Sequence, residues 1–150
     1  MSGETTYKYS VLQQILADVH PGIPIQCDKT YSSILMLDIG EPIPCNMNAA
    51  FLQRLKDNTA GRLAPEETIQ DKYADFTLAH NLVILRRQRD ILLKASDVYT
   101  LSDYPHTSDA VKQSWLSYRQ ALRDITITYP SPTTDDNDNL IGVSFPTPPS

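Results

Sequence analysis

The chain has 150 residues, 41% of them hydrophobic, with 13 Lys and Arg against 18 Asp and Glu and a formal net charge of −5. That length suits one domain with appendages and excludes a large multi-domain enzyme, while the hydrophobic share excludes a chain too polar to bury a core. The negative charge argues against broad phosphate binding, and so against nucleic acid as a partner, and 11 Pro against 5 Gly points to stiffened connections rather than Gly-rich phosphate loops.

The opening residues Met1 to Tyr7 lack a basic stretch followed by an apolar one, so the expected compartment is a cytoplasm. The longest apolar runs, Ile34 to Leu37 and Leu82 to Leu85, are far too short to span a bilayer, and no membrane partner is expected. Ser10 followed by Val11, Leu12, Ile15, Leu16 and Val19 reads as an N-cap and an apolar stripe, stopped by Pro21-Gly22, which predicts a helix over 9–20. Residues 23–27 and 31–39 are β-rich runs joined by Asp28-Lys29-Thr30 and predict a two-stranded hairpin that must lean on the helix. Gly40 to Pro44 ends the hairpin. Asn46 is placed to cap a second helix over 46–58 carrying Met47, Ala50, Phe51, Leu52 and Leu55. Cys27 and Cys45 flank a strand-like region; spacing leaves pairing open, and two reduced thiols are expected without an export signal.

Ala64-Pro65-Glu66-Glu67 sets Pro in a first turn with acids beside the helix dipole. Ile69, Tyr73, Phe76, His80 and Val83 then keep a spacing of four and three, with Leu82, Leu85, Leu92 and Leu93 widening the apolar face to Ser96-Asp97. A continuous helix over 65–95 would be about 46 Å long. It should pack on another chain, as a homo-oligomer, or on a late helix of its own chain. After the turn at Leu101 to His106, Thr107 or Ser108 can cap a last helix bearing Val111, Trp115, Tyr118, Leu122 and Ile125. From Pro130 the composition turns to Ser, Pro, Thr, Asp and Asn, which predicts an extended tail. The expected fold is thus α+β and mostly helical. It divides into a helix, hairpin and helix module over 1–60, a long helix and C-terminal helical hairpin over 61–129, and the extended Pro-rich and Asp-rich tail over 130–150.

Two stretches stand out: Arg89-Asp90-Ile91-Leu92-Leu93-Lys94-Ala95-Ser96-Asp97-Val98-Tyr99-Thr100-Leu101-Ser102-Asp103, and Trp115-Leu116-Ser117-Tyr118-Arg119-Gln120-Ala121-Leu122-Arg123-Asp124-Ile125. Together they resemble the bacteriophage tail assembly chaperone family, whose pattern runs roughly R-D-x-L-L-x-x-S-D-W-T-x-L-x-D, a spacer, then W-x-x-Y-R-Q-x-L-R-D. Val98 departs from it, standing where the family usually has Trp, with Tyr99 beside it, which implies a remodelled packing contact. The first ninety residues more loosely resemble small phage tail accessory proteins. The resemblance implies a non-enzymatic phage protein without cofactors. Such a protein binds tail fibre or baseplate components in the host cytoplasm, or stays in the virion tail as a structural adaptor.

On the residues themselves, Asp90, Asp97, Asp103 and Asp124 punctuate a helical hairpin that Arg-to-carboxylate bridges and Asx capping would hold. Trp115, Tyr118, Arg119, Leu122 and Arg123 are of the types enriched at binding hot spots and are candidate partner contacts, as are Arg86 and Arg89. The simpler reading is that all of them hold the hairpin together. Arg86-Arg87-Gln88-Arg89 reads as a solvated helical face, and the rival reading is a nucleic-acid-binding regulator using those arginines. His20, His80 and His106 share no metal-ligand spacing with the cysteines and read as surface or helix-end residues, so no metal site is expected. Asp135 to Asn139 opens like a calcium loop, but Leu140 stands where Gly is needed and no closing Glu follows, which favours a solvated acidic run. A thiol-dependent enzyme using Cys27 or Cys45 with His20 is the remaining alternative, supported by residue types alone.

Overall fold

The computed structural model describes residues 5–28, 32–36, 42–51, 53 and 66–150. Lys29-Thr30 of the first turn, Leu37 to Gly40, Leu52 and Leu55 of the second helix, and the Ala64-Pro65 helix start lie outside the described residues. The chain divides into two compact units, Met1–Thr77 and Leu78–Ser150. The architecture is α+β and mostly helical, with small antiparallel sheets. Among the described residues no helix is long and apolar enough to cross a membrane.

In the first unit, strand β1 (Thr5–Thr6) leads into helix α1 (Tyr9–Val19). Lys8, not Ser10, occupies the N-cap position, and it offers no side-chain hydrogen bond. The helix stands instead on its inner face, where Val11, Leu12, Ile15 and Leu16 are fully buried, each contributing about 1.5–3 kcal/mol of hydrophobic stabilisation. It ends as predicted, at Pro21-Gly22, where Gly22 takes a positive φ of 82° that a side chain would disfavour.

Strands β2 (Ile25–Cys27) and β3 (Ser33–Met36) pair antiparallel as expected, with Cys27 opposite Ile34. The Asp28 carboxylate accepts from the Ser32 and Ser33 amides at 2.9 and 3.2 Å, closing the turn. The sheet has a third strand that the hairpin reading lacks: β4 (Pro42–Pro44) pairs with β3, Ile43 opposite Ile34. Its two prolines give no amide hydrogens, which an edge strand tolerates.

Next, β5 (Asn46–Met47) pairs with β1. Asn46 is therefore strand rather than cap, and the cap of helix α2, described at residues 49–51 and 53, is Asn48, whose Oδ1 accepts from the Phe51 amide at 2.9 Å. Alternation on β3 sends Ile34 and Met36 into the core, joined by Ile43, Met47, Phe51 and Tyr7. Helix α3 (Glu66–Ala95) adds Ile69, Tyr73 and Phe76 to this core. Tyr7 and Tyr73 meet edge to face at 5.1 Å, and the Lys8 amide donates to the Tyr73 hydroxyl at 2.9 Å.

The second unit holds the rest of α3, a 3₁₀ turn (Asp97–Thr100), helix α4 (Asp109–Arg123), the short α5 (Ile125–Thr128) and a hairpin of β6 (Thr133–Thr134) and β7 (Leu140–Ile141). Ser108 is the N-cap of α4, accepting from the Val111 amide at 3.2 Å, as the sequence suggested. The last helix is interrupted at Asp124, so Ile125 starts α5, where it is still buried.

Candidate functional site

The site is the corner where α3 turns into α4. An α-helix leaves its last carbonyls without amide partners, and at the end of α3 those groups are met from within the corner. The Ser96 amide lies 3.1 Å from both the Leu92 and Leu93 carbonyls, and the Ser96 hydroxyl donates to the Leu93 carbonyl at 2.9 Å. From α4 comes Arg119, 8% exposed, whose Nη1 donates to the Leu93 carbonyl and to Ser96 Oγ, both at 2.7 Å. Its Nη2 reaches the Asp97 carboxylate at 2.9 Å. A cation beside a helix C-terminus also opposes the negative end of the helix dipole. One guanidinium thus satisfies the end of one helix, the turn that follows it and a carboxylate of that turn.

Beside this clasp lies an aromatic stack. Trp115 lies flat on Tyr99, centroids 3.8 Å apart at 12°, and Tyr118 meets Trp115 edge-on at 5.8 Å. Tyr104 abuts Tyr99 edge-on at 5.0 Å, and the His106 ring reaches the Tyr99 carbonyl through Nε2 at 2.9 Å. A carbonyl only accepts, so that nitrogen carries the hydrogen. Leu122 is fully buried beneath, with Leu92, Leu93, Val111 and Phe145 packed around. Val98 is exposed, and the adjacent Tyr99 supplies the aromatic ring of the turn.

A second set of contacts holds the tail. Asn81, buried in the middle of α3, donates through Nδ2 to the Pro132 carbonyl at 3.0 Å and accepts at Oδ1 from the Thr134 hydroxyl at 2.8 Å. His80 meets the Asp138 carboxylate at 3.1 Å. Asp135 closes the β6–β7 loop by accepting at Oδ1 from the Asn137 and Asn139 amides, both at 2.9 Å. The run read as solvated is therefore an Asx-type turn of a hairpin docked on the helix, and residues 133–141 are not simply extended.

The structure thus brings Trp115, Tyr118, Arg119, Leu122 and Asp97 together and encloses the first four, so none of those four presents a free contact surface in this fold. Arg123, Asp90 and Asp103 are exposed; Asp124 bounds α4, where its carboxylate accepts from Gln120 Nε2 at 3.0 Å. Arg89 pairs with its neighbour Asp90 at 2.7 Å, and Arg86 is exposed on α3. Ser96, Tyr99, Asn81 and His106 are the site residues that periodicity gave no reason to choose. Ser96 and Tyr99 lie inside the motif, but Asn81 carries no local signal, because its partners are 51 and 53 residues away.

Of the two thiols in the enzyme alternative, Cys45 is poorly suited to act as a nucleophile. Cys27 and Cys45 are not joined in a disulfide. Burial, aided by the Asp28 charge, pushes the Cys45 thiol up to about 11, whereas a nucleophile needs the thiolate near neutral pH. Burial also lowers His20 from its ordinary value.

No curated protein and no solved structure gives a significant match to the chain. Residues 82–150, which contain the clasp, the aromatic stack and the docked tail, match the family model described as phage tail assembly chaperone protein, and this match supports the family resemblance carried by Arg89 to Asp103 and Trp115 to Ile125.

Proposed function

We propose that the protein is a non-enzymatic chaperone of phage tail assembly that binds a tail fibre or baseplate component through the unit containing the α3–α4 corner, works in the host cell and leaves before the tail is finished. The observation that carries this reading is the family match over 82–150, which supports a role in tail assembly and hence interaction with other tail proteins. On this reading Trp115, Tyr118, Arg119 and Leu122 contribute from inside, by fixing the corner, and the partner meets exposed residues such as Arg86 and Arg123, with the half-buried Arg89 held by Asp90. Retention as an adaptor would draw on a tail free to drape over a neighbour. Here the tail is engaged with its own unit through Asn81 and Phe145, which favours the transient role. Deleting the coding sequence from the source phage tests it. Infected cells should then accumulate a tail component outside tails, with rescue by the intact chain. Tails of normal number and infectivity without it would refute the reading.

A further inference from the structure

The second half of α3 has two chemically distinct faces. Asn81, Leu85, Leu92, Leu93 and Ser96 turn inward, buried or packed in the core of the unit. Val83, Arg86, Arg87, Asp90, Ile91 and Lys94 recur at spacings of three and four on the opposite side and together line one open surface. Val83 and Ile91 are 47% and 63% exposed, and eight residues of helix set them about 12 Å apart. Asp90 is engaged by Arg89, whereas Arg86, Arg87 and Lys94 have no carboxylate partner among the described residues. A chain of net charge −5 therefore displays a cationic stripe threaded with two bare aliphatic side chains.

We infer that this face is the docking surface for an acidic amphipathic helix of a partner tail protein, seating apolar side chains on Val83 and Ile91 and carboxylates on Arg86, Arg87 and Lys94. This deepens the chaperone reading and rests on it. The pattern of two apolar anchors flanked by charges is what a helix laid along a helix requires. A second copy of the chain would set these cations against the same cations, a like-charge juxtaposition that disfavours pairing. A nucleic-acid strand would find no aromatic ring on the face for its bases to stack on.

The test uses the full chain with Ile91 replaced by photoreactive benzoylphenylalanine, produced in cells assembling phage tails, with cross-linked peptides identified by mass spectrometry. Cross-links should map to an acidic, apolar-patterned segment of a tail protein. The paired substitutions Arg86→Glu and Arg87→Glu should cut their yield at least about tenfold at low salt. Arg86→Lys with Arg87→Lys should retain most of it. All four changes are on exposed positions, and unchanged circular dichroism and melting would show that the fold persists. Cross-links to a second copy of the chain, to nucleic acid or to a segment without acidic residues would overturn the inference, as would yields indifferent to charge reversal. If the charge-reversed chain still captured the same tail protein, only this surface would be wrong. Failure of the unaltered chain to capture any tail protein would remove the chaperone reading and this surface with it.

Discussion

Arg119 is the side chain on which the second unit turns, because its buried guanidinium ties the end of α3 to α4 with donors beyond those that the Ser96 amide and hydroxyl supply. Replacing it with Ala removes the charged donor from the Leu93 carbonyl and the Ser96 hydroxyl and leaves them only each other and the Ser96 amide, so Arg119→Ala should lower stability by about 2–4 kcal/mol in urea unfolding. Arg119→Lys should recover less than half of that, since one ammonium lacks the planar fork that reaches three acceptors. Asp97→Asn should cost under about 1 kcal/mol, because that carboxylate is 61% exposed. Equal losses for Arg119→Ala and Asp97→Asn would show that the ion pair, not the carbonyl clasp, matters. Cys45 gives a pH prediction with a definite sign. Its thiol is pushed from an ordinary 9 to about 11 in the folded chain, so the unfolded state loses its proton first. Stability is fully present below pH 9 and falls as the pH rises toward 11. The difference in melting temperature between the native chain and Cys45→Ala should therefore change across pH 9–11, and a constant difference would contradict the assignment.

Among the elements, the three long-period helices were legible because each repeats an apolar stripe: α1 at Val11, Leu12, Ile15 and Leu16, α3 from Ile69 onward, α4 at Trp115, Tyr118 and Leu122. What escaped the reading has physical causes. Strand β4 holds a single apolar residue between two prolines, a pattern that reads as a terminator until β3 is there to pair with Ile43. Asn46 and Asn48 are both good caps by residue type, and pairing with β1 takes the first out of contention. In the motif, the stripe gave Trp115, Tyr118 and Leu122 but not the task of Arg119, whose targets lie 23 and 26 residues earlier. The β6–β7 hairpin is polar enough to read as tail; it depends on distant partners on α3. Asn81→Leu removes both hydrogen bonds of the buried amide. Amide exchange across Thr133 to Ile141 should then quicken by one to two orders of magnitude, about 1–3 kcal/mol of lost local protection, while α3 itself remains helical. Unchanged protection of those amides would mean that the hairpin orders itself.

For the molecule as a whole, the family match falls inside the second unit, while the described residues of the first have a core of their own around α1 and the β2–β3–β4 sheet. The proposed binding to a tail protein is accordingly placed on the second unit, and on that proposal substitutions in its exposed basic face should act on assembly rather than on folding. Arg86→Glu with Arg87→Glu should leave urea unfolding within about 0.5 kcal/mol of the native chain yet reduce the yield of infectious particles in a complementation assay. An equal yield would separate that face from assembly. The most direct measurement is quantitative mass spectrometry of tail assembly intermediates and of finished particles from the source phage. A departing chaperone should be found with a tail protein in the intermediates and be absent from finished tails. A stoichiometric signal in the finished particle, or none in any intermediate, would contradict that role.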